Sequence, residues 1–277
     1  MTIDKSLIDS FAKSTARAAY GASLFRGKND KIGAYKAAVD EMRKYLNTIN
    51  MSGVVVIGEG ELDEAPMLYI NEKLGTNNGQ EFDIAVDPLE GTNFTAKNLP
   101  NALSVIAVAK KNCLLKAPDM YMEKIAIGST LPSNLIDLDN SVEKNIKLLA
   151  EAKNTTPENL TACVLQRKRH DHIVESLKSL NVKINFISDG DVSGVISVAI
   201  PQSKVDIYLG IGGGPEGVLA AAALKCLGCQ MQTRLKFYQN EEKERVKKMG
   251  IKDLNFKYNI NDMVKGDVIF CATGVTD

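Results

Sequence analysis

The 277 residues suit one large domain or two medium ones. Hydrophobic residues at 44% and charged residues at 25% are those of an ordinary globular protein, which disfavours disorder. The longest apolar-rich stretch, Gly217 to Leu227, is far short of the ~20 residues a membrane span needs. Lys plus Arg and Asp plus Glu both number 34, and this zero balance argues against nucleic acid as the main partner, because phosphate-backbone binding usually leaves a basic excess.

The first 21 residues lack the apolar core of a signal peptide and read as an amphipathic helix. Helical spacing runs over Ile3–Leu24 and Ala34–Leu46, with Gly27 to Asp30 between them. Val54–Ile57 reads as a buried strand, Asp63–Leu74 as a helix capped by Gly75, and Phe82–Val86 as a second strand ending at Asp87-Pro88. Leu103–Ala109 and Tyr121–Ile127 are further strands, and Gly128–Asp139 is a plausible linker. Regular alternation follows: helices over Val142–Ala152, His170–Leu180, Val192–Ala199, Glu216–Leu227 and Glu241–Met249, and strands over Leu160–Leu165, Val182–Ile187, Val205–Leu209, Leu235–Tyr238 and Val268–Cys271. A boundary near residue 140 is expected. It divides a metal-binding α+β half, 1–140, from an α/β half, 141–277. The stop at Asp277, directly after a buried-looking strand, suggests a missing C-terminal segment. The five cysteines, an odd number in a large chain, are expected to be reduced thiols of a cytoplasmic protein, with Cys226 and Cys229 as packing residues.

Two acidic clusters stand at strand ends: Gly58 to Glu64, and Asp87-Pro88-Leu89-Glu90-Gly91-Thr92. Open α/β sheets bind ligands where loops leave the strands, and flanking glycines let backbone approach a ligand closely. Clustered carboxylates repel one another unless a cation is present, and hard oxygen donors suit Mg²⁺ or Mn²⁺. Glu61, Asp63 and Glu64 are explained by a helix cap and first turn, where the dipole favours acids. Glu59 precedes that turn and is not. The Asp87–Thr92 hexapeptide also holds more carboxylates than a turn needs.

These residues resemble the lithium-sensitive, metal-dependent sugar phosphatases, in which Asp-Pro-x-[Asp/Glu]-Gly-Thr follows a strand and a Glu follows an earlier one. The longer segments 57–75, 83–92, 117–128, 169–171, 189–196 and 212–222 narrow the resemblance to class II fructose-1,6-bisphosphatase, from about residue 40 to the end. The resemblance implies a layered αβαβα sugar-phosphatase fold with two sheet-containing halves. It implies hydrolysis of fructose 1,6-bisphosphate by in-line attack of metal-activated water, with two or more divalent ions, Mn²⁺ or Mg²⁺. Glu59, Asp87 and the Leu89 carbonyl match the ligands of one ion; Asp87, Glu90 and Glu216 match those of the other. Thr92 matches the hydroxyl that orients the water, and Glu59, Asp87 and Asp30 complete the catalytic set. Glu90, Gly91, Thr92, Tyr121, Arg167, Lys168, Arg169, Asp189, Gly190, Asp191 and Gly214 match substrate-binding positions, the basic run facing the remote phosphate. A homo-oligomer, dimer or tetramer, is implied as well. No nucleic-acid or membrane partner is expected.

Gly212-x-Gly214-x-x-Gly217 formally fits a dinucleotide loop, but Glu216 would set a carboxylate where a pyrophosphate must bind. His170 and His172 read as surface or supporting residues. One departure from the family pattern falls before the second helix, where the family has a metal-site aspartate and this chain has Tyr35. A phenol cannot replace a carboxylate at neutral pH. Asp30 stands close enough in sequence to take that part, and Lys31 that of the family lysine. The family also continues roughly fifty residues further. Two alternatives are a phosphatase for sedoheptulose bisphosphate or inositol phosphate, and a catalytically weak sugar-phosphate-binding homologue.

Overall fold

The computed structural model describes residues 3–58 and 67–276. In chain order the elements begin with α1 (Ile8–Ser23), α2 (Lys31–Leu46), β1 (Met51–Ile57), β2 (Lys73–Leu74), β3 (Gln80–Glu90), α3 (Thr92–Lys97), β4 (Leu103–Lys110) and β5 (Tyr121–Ile127). They continue with α4 (Val142–Ala152), β6 (Thr161–Leu165), α5 (Asp171–Ser179), β7 (Lys183–Ile187), α6 (Asp191–Ile196), β8 (Ile207–Gly213), α7 (Gly214–Cys226), β9 (Gln230–Leu235), α8 (Asn240–Lys248), β10 (Tyr258–Asn259), α9 (Ile260–Met263) and β11 (Val268–Gly274). Among the described residues no helix is long and apolar enough to cross a membrane.

The chain forms two compact units, one from residues 1–116 and 263–277, the other from 117–262. This differs from a division at residue 140. β5 pairs with β8 and β9 and so belongs to the second unit, while β11 pairs along its whole length with β4 and returns to the first. The Gly128–Asp139 stretch is therefore no linker. It lies inside the second unit, where Asn145 accepts a hydrogen bond from the Asp137 N–H at 3.0 Å.

The first unit is a sheet in the order β11-β4-β3-β1-β2, with α1 and α2 packed on it. Small residues make that packing close. A Cβ on Gly21 of α1 would lie 2.6 Å from the Ala37 carbonyl of α2. β3 is central and buried from Phe82 to Glu90, so it reads as a near-continuous apolar run instead of an alternating one. The expected helix over Asp63–Leu74 falls partly outside the described residues. Its described part, from Met67, is not helical. Asn71 takes a left-handed conformation (φ 74°) and donates to the Val55 carbonyl, which draws the segment alongside β1.

The second unit is a sheet in the order β10-β9-β5-β8-β6-β7. Ile125, Ile127, Ile207 and Leu209 face the core beneath α4 and α5, whereas Tyr208 faces Gly194 of α6 and Lys124 faces Gly217 of α7. α7 is apolar all round and accordingly buried from Gly217 to Leu224. The strand expected at Leu235–Tyr238 lies earlier, at Gln230–Leu235. Only Met231, Thr233 and Leu235 point inward there, and outward Gln and Arg residues dilute the apolar signal. Cys229 is buried as expected, but Cys226 is exposed at the end of α7.

Candidate active site

In the first unit the site begins where β3 ends. Asp87 and Glu90 are 8% and 5% exposed, which is unusual for carboxylates. The pairing of β3 with β4 slips between Asp87 and Glu90, so Pro88 and Leu89 bulge. The Asp87 carboxylate accepts the Leu89 N–H at 3.0 Å across that bulge. Gly91 then turns left-handed (φ 79°), and Thr92, half-buried, opens α3. A side chain at Gly91 would be strained by that φ and would strike Phe94, 2.8 Å from its Cβ. Strand, bulge and glycine thus bring two carboxylates and a hydroxyl within six residues of one another. Asp83, further back on β3, is spent on structure: its carboxylate accepts the N–H groups of Cys113 and Leu114 at 2.9 and 3.1 Å.

Asp30 is exposed and serves α2 as its N-cap, accepting the Gly33 N–H at 2.8 Å. Its loop is tied to the C-terminal end of α3, where Gly27 and Asn29 donate to the Thr95 and Ala96 carbonyls. Gly91 and Thr92 are at the opposite end of that helix. Tyr35 is buried on the inward side of α2. Glu59 lies outside the described residues.

In the second unit, Tyr121, Arg169 and Asp191, three of the residues expected to bind substrate, lie against the end of β8. The Arg169 guanidinium lies 4.8 Å above the Tyr121 ring, and its Nε donates to the Ile211 carbonyl at 3.0 Å. Tyr238 packs edge-on against Tyr121 at 5.8 Å. Arg167 and Lys168 are exposed beside them. Asp189 accepts the Gly190 N–H at 3.1 Å, and Gly190 turns left-handed (φ 82°) to begin α6. Asp191 is buried, with one carboxylate oxygen held by the Lys124 ammonium and the other by the Tyr208 hydroxyl. Asp191, expected at a substrate-binding position, thus has an internal partner on each carboxylate oxygen.

The glycine run that resembles a dinucleotide loop has another explanation. A Cβ on Gly212 would lie 2.1 Å from the Asp191 carboxylate, and one on Gly213 would lie 2.0 Å from Glu216 Oε2. One on Gly214 would lie 3.0 Å from the Pro118 carbonyl. The first two glycines make room for carboxylates, the reverse of a phosphate cradle.

Glu216 Oε2 is buried and has no hydrogen-bond partner among the described residues. Burial raises the Glu216 carboxyl above its ordinary range, Lys124 pulls it back, and Asp191 and Asp119 add to the rise. A buried, open carboxylate oxygen fits a cation, as do Asp87 and Glu90 by donor type. Among the described residues no group of three or more His, Cys, Asp or Glu side chains forms a complete metal cage.

Sequence reasoning missed Lys124 and Tyr208. The available signal for Lys124 was its place two residues from Met122 and from Ala126 on one strand, a register that turns it inward.

The family model described as bacterial fructose-1,6-bisphosphatase, glpX-encoded, matches residues 5–277. The chain belongs to this family. Among curated relatives, the fructose-1,6-bisphosphatase class 2 of Haemophilus influenzae is 42% identical, covering 99% of this chain and 86% of the relative. The fructose-1,6-bisphosphatase 1 class 2 of Escherichia coli K12 is 43% identical, covering 96% and 83%. The inositol monophosphatase structure from Anabaena aligns with a TM-score of 0.44 at 13% identity, over 82% of this chain and 83% of that one, too loosely to carry an argument. For a bacterial fructose-1,6-bisphosphatase, the paired acids of β3 and the Arg169–Tyr121 stack are the chemistry to account for. The family match leaves no place for the dinucleotide reading.

Proposed function

We propose that the chain hydrolyses fructose 1,6-bisphosphate to fructose 6-phosphate and phosphate, as its class 2 relatives are named for doing. The observation that carries this reading within the fold is the burial of Asp87 and Glu90 at the bulged end of β3. Hard carboxylate oxygens gathered at one strand end are the donor type that suits a divalent cation. Glu59, Asp87, the Leu89 carbonyl, Glu90 and Glu216 would hold divalent ions, Mn²⁺ or Mg²⁺. Such ions, when bound, neutralise the transferring phosphoryl group and lower the pKa of water.

The side chains then divide the remaining work. Thr92 orients the attacking water, and the Gly91 and Thr92 amides contact the reacting phosphate. Arg167, Lys168 and Arg169 meet the remote phosphate, with the Arg169 fork already fixed by its bond to Ile211. Tyr121, under Arg169 and edge-on to Tyr238, borders the sugar. Asp189, Gly190 and Gly214 border the sugar. Asp30, the exposed cap of α2, stands in the loop that precedes that helix.

The test is phosphate release from fructose 1,6-bisphosphate with Mn²⁺, with Mg²⁺ and after chelation. Turnover that vanishes with chelator and returns with either ion is expected. Preference for sedoheptulose bisphosphate or inositol phosphate in the same assay would reassign the substrate. Light scattering checks the dimer or tetramer that the resemblance implies, and fractionation checks the cytoplasmic location.

A further inference from the structure

Lys124 has no part in the reading above, yet its side chain is fully buried. It sits on β5 opposite Gly210, on the sheet face covered by α6 and α7. A lysine there loses its hydration, and a buried ion pair returns no more than well-packed apolar residues would. Stability alone gives no reason for the charge.

Its surroundings do. The ammonium pairs with one oxygen of Asp191, and Tyr208 donates to the other, so the carboxylate is pinned from two strands. Asp191 lies against Gly212, and Glu216 folds back on Gly213, so both carboxylates lean on consecutive glycines of one loop. Lys124 Nζ is 3.7 Å from the Cβ position of Gly217, the residue next to Glu216, and its charge attracts Glu216 as well. One cation thus stands between two carboxylates. It neutralises Asp191 and leaves Glu216 with its open oxygen.

We propose that Lys124 is a positioning residue: with Tyr208 it clamps Asp191 beneath Gly212, fixes the Gly212–Gly214 backbone, and so places the Glu216 carboxylate for a divalent cation. The cation rests on the functional reading above; the clamp does not.

The test compares wild-type protein with Lys124→Met, Tyr208→Phe and Lys124→Met/Asp191→Asn. It measures the Mn²⁺ concentration giving half-maximal thermal stabilisation, and kcat and KM for fructose 1,6-bisphosphate. Lys124→Met should need about tenfold more Mn²⁺ and lose about tenfold in kcat with little change in KM, and Tyr208→Phe should shift the same way by less. Tyr208→Phe removes one hydroxyl and decides the matter if Lys124→Met fails to fold. The double variant leaves no unpaired charge at position 191, so its melting temperature should recover relative to Lys124→Met while its Mn²⁺ requirement and kcat do not. A wild-type Mn²⁺ requirement in both single variants, or recovery of kcat together with melting in the double variant, would overturn the proposal. If wild-type protein shows no Mn²⁺ response, the functional reading fails instead. Amide exchange at Gly212–Gly214 then judges the clamp: faster exchange in Lys124→Met supports it, and unchanged exchange refutes it.

Discussion

His170 Nε2 accepts the Ile211 backbone N–H at 2.8 Å, while its Nδ1 lies 2.7 Å from the Leu165 carbonyl. The two bonds require Nδ1 to carry the proton and Nε2 to be bare, so the fold selects one neutral tautomer. Burial, first of all, lowers the pKa of His170 below its ordinary value, and the neighbouring Arg169 charge adds to this.

The sign of the pH effect follows. A histidine with a depressed folded-state pKa binds fewer protons in the native than in the unfolded chain, so its contribution is intact above the unfolded pKa of about 6.5 and is lost as pH falls below it. Denaturant midpoints at pH 7.5 and 5.5 should therefore separate more for wild-type protein than for His170→Gln. Equal separations would mean that the ring is not held neutral.

Asp87→Asn preserves shape and the bond to the Leu89 N–H but removes the charge. It should fold normally and lose at least about 100-fold in kcat, the scale for a group that acts on developing charge. Steady-state assays with saturating Mn²⁺ check this, and near-wild-type turnover would remove Asp87 from the reaction.

The two glycines behind the carboxylates should respond differently. At Gly213 the atoms nearest an added methyl are those of the Glu216 carboxyl end, so Gly213→Ala should fold and weaken Mn²⁺ binding. At Gly212 the methyl meets Asp191, which Lys124 and Tyr208 hold, so Gly212→Ala should lower stability by an amount typical of overpacking, about 1–3 kcal/mol. Calorimetry of both variants with and without Mn²⁺ distinguishes them.

The thiols should separate by burial. Burial pushes the Cys163 thiol up to about 12, so it carries almost no thiolate at neutral pH. Cys226 is exposed. A thiol-reactive dye should label Cys226 in native protein and reach Cys163 only on unfolding, as peptide mapping can show.

What could be read from residues alone was set by how local the cause was. The hexapeptide Asp87–Thr92 announced itself because bulge, left-handed glycine and acids are contiguous. α4 was legible because Ser141 caps it and apolar residues recur at helical spacing. Where distant partners decide, the signal fails. Nothing near Asp191 in sequence shows that Lys124, 67 positions away, pairs with it. The segment from Met67 carries apolar residues at helical spacing, yet Val55 takes the Asn71 N–H and pulls it out of a helix. Tyr258 and β10 were missed because a two-residue edge strand has no period to detect.

The pairing of β11 with β4 has a consequence for how the chain comes off the ribosome. Thr15 and Thr273, 258 positions apart, share a hydrogen bond at 2.8 Å. β4 is synthesised early but keeps a bare row of amide and carbonyl groups on one side until Val268–Gly274 emerges. The first sheet thus waits for β11 while β5 to β10 are made, and in the interval its open border is where a nascent chain would recruit a chaperone or join a neighbour wrongly.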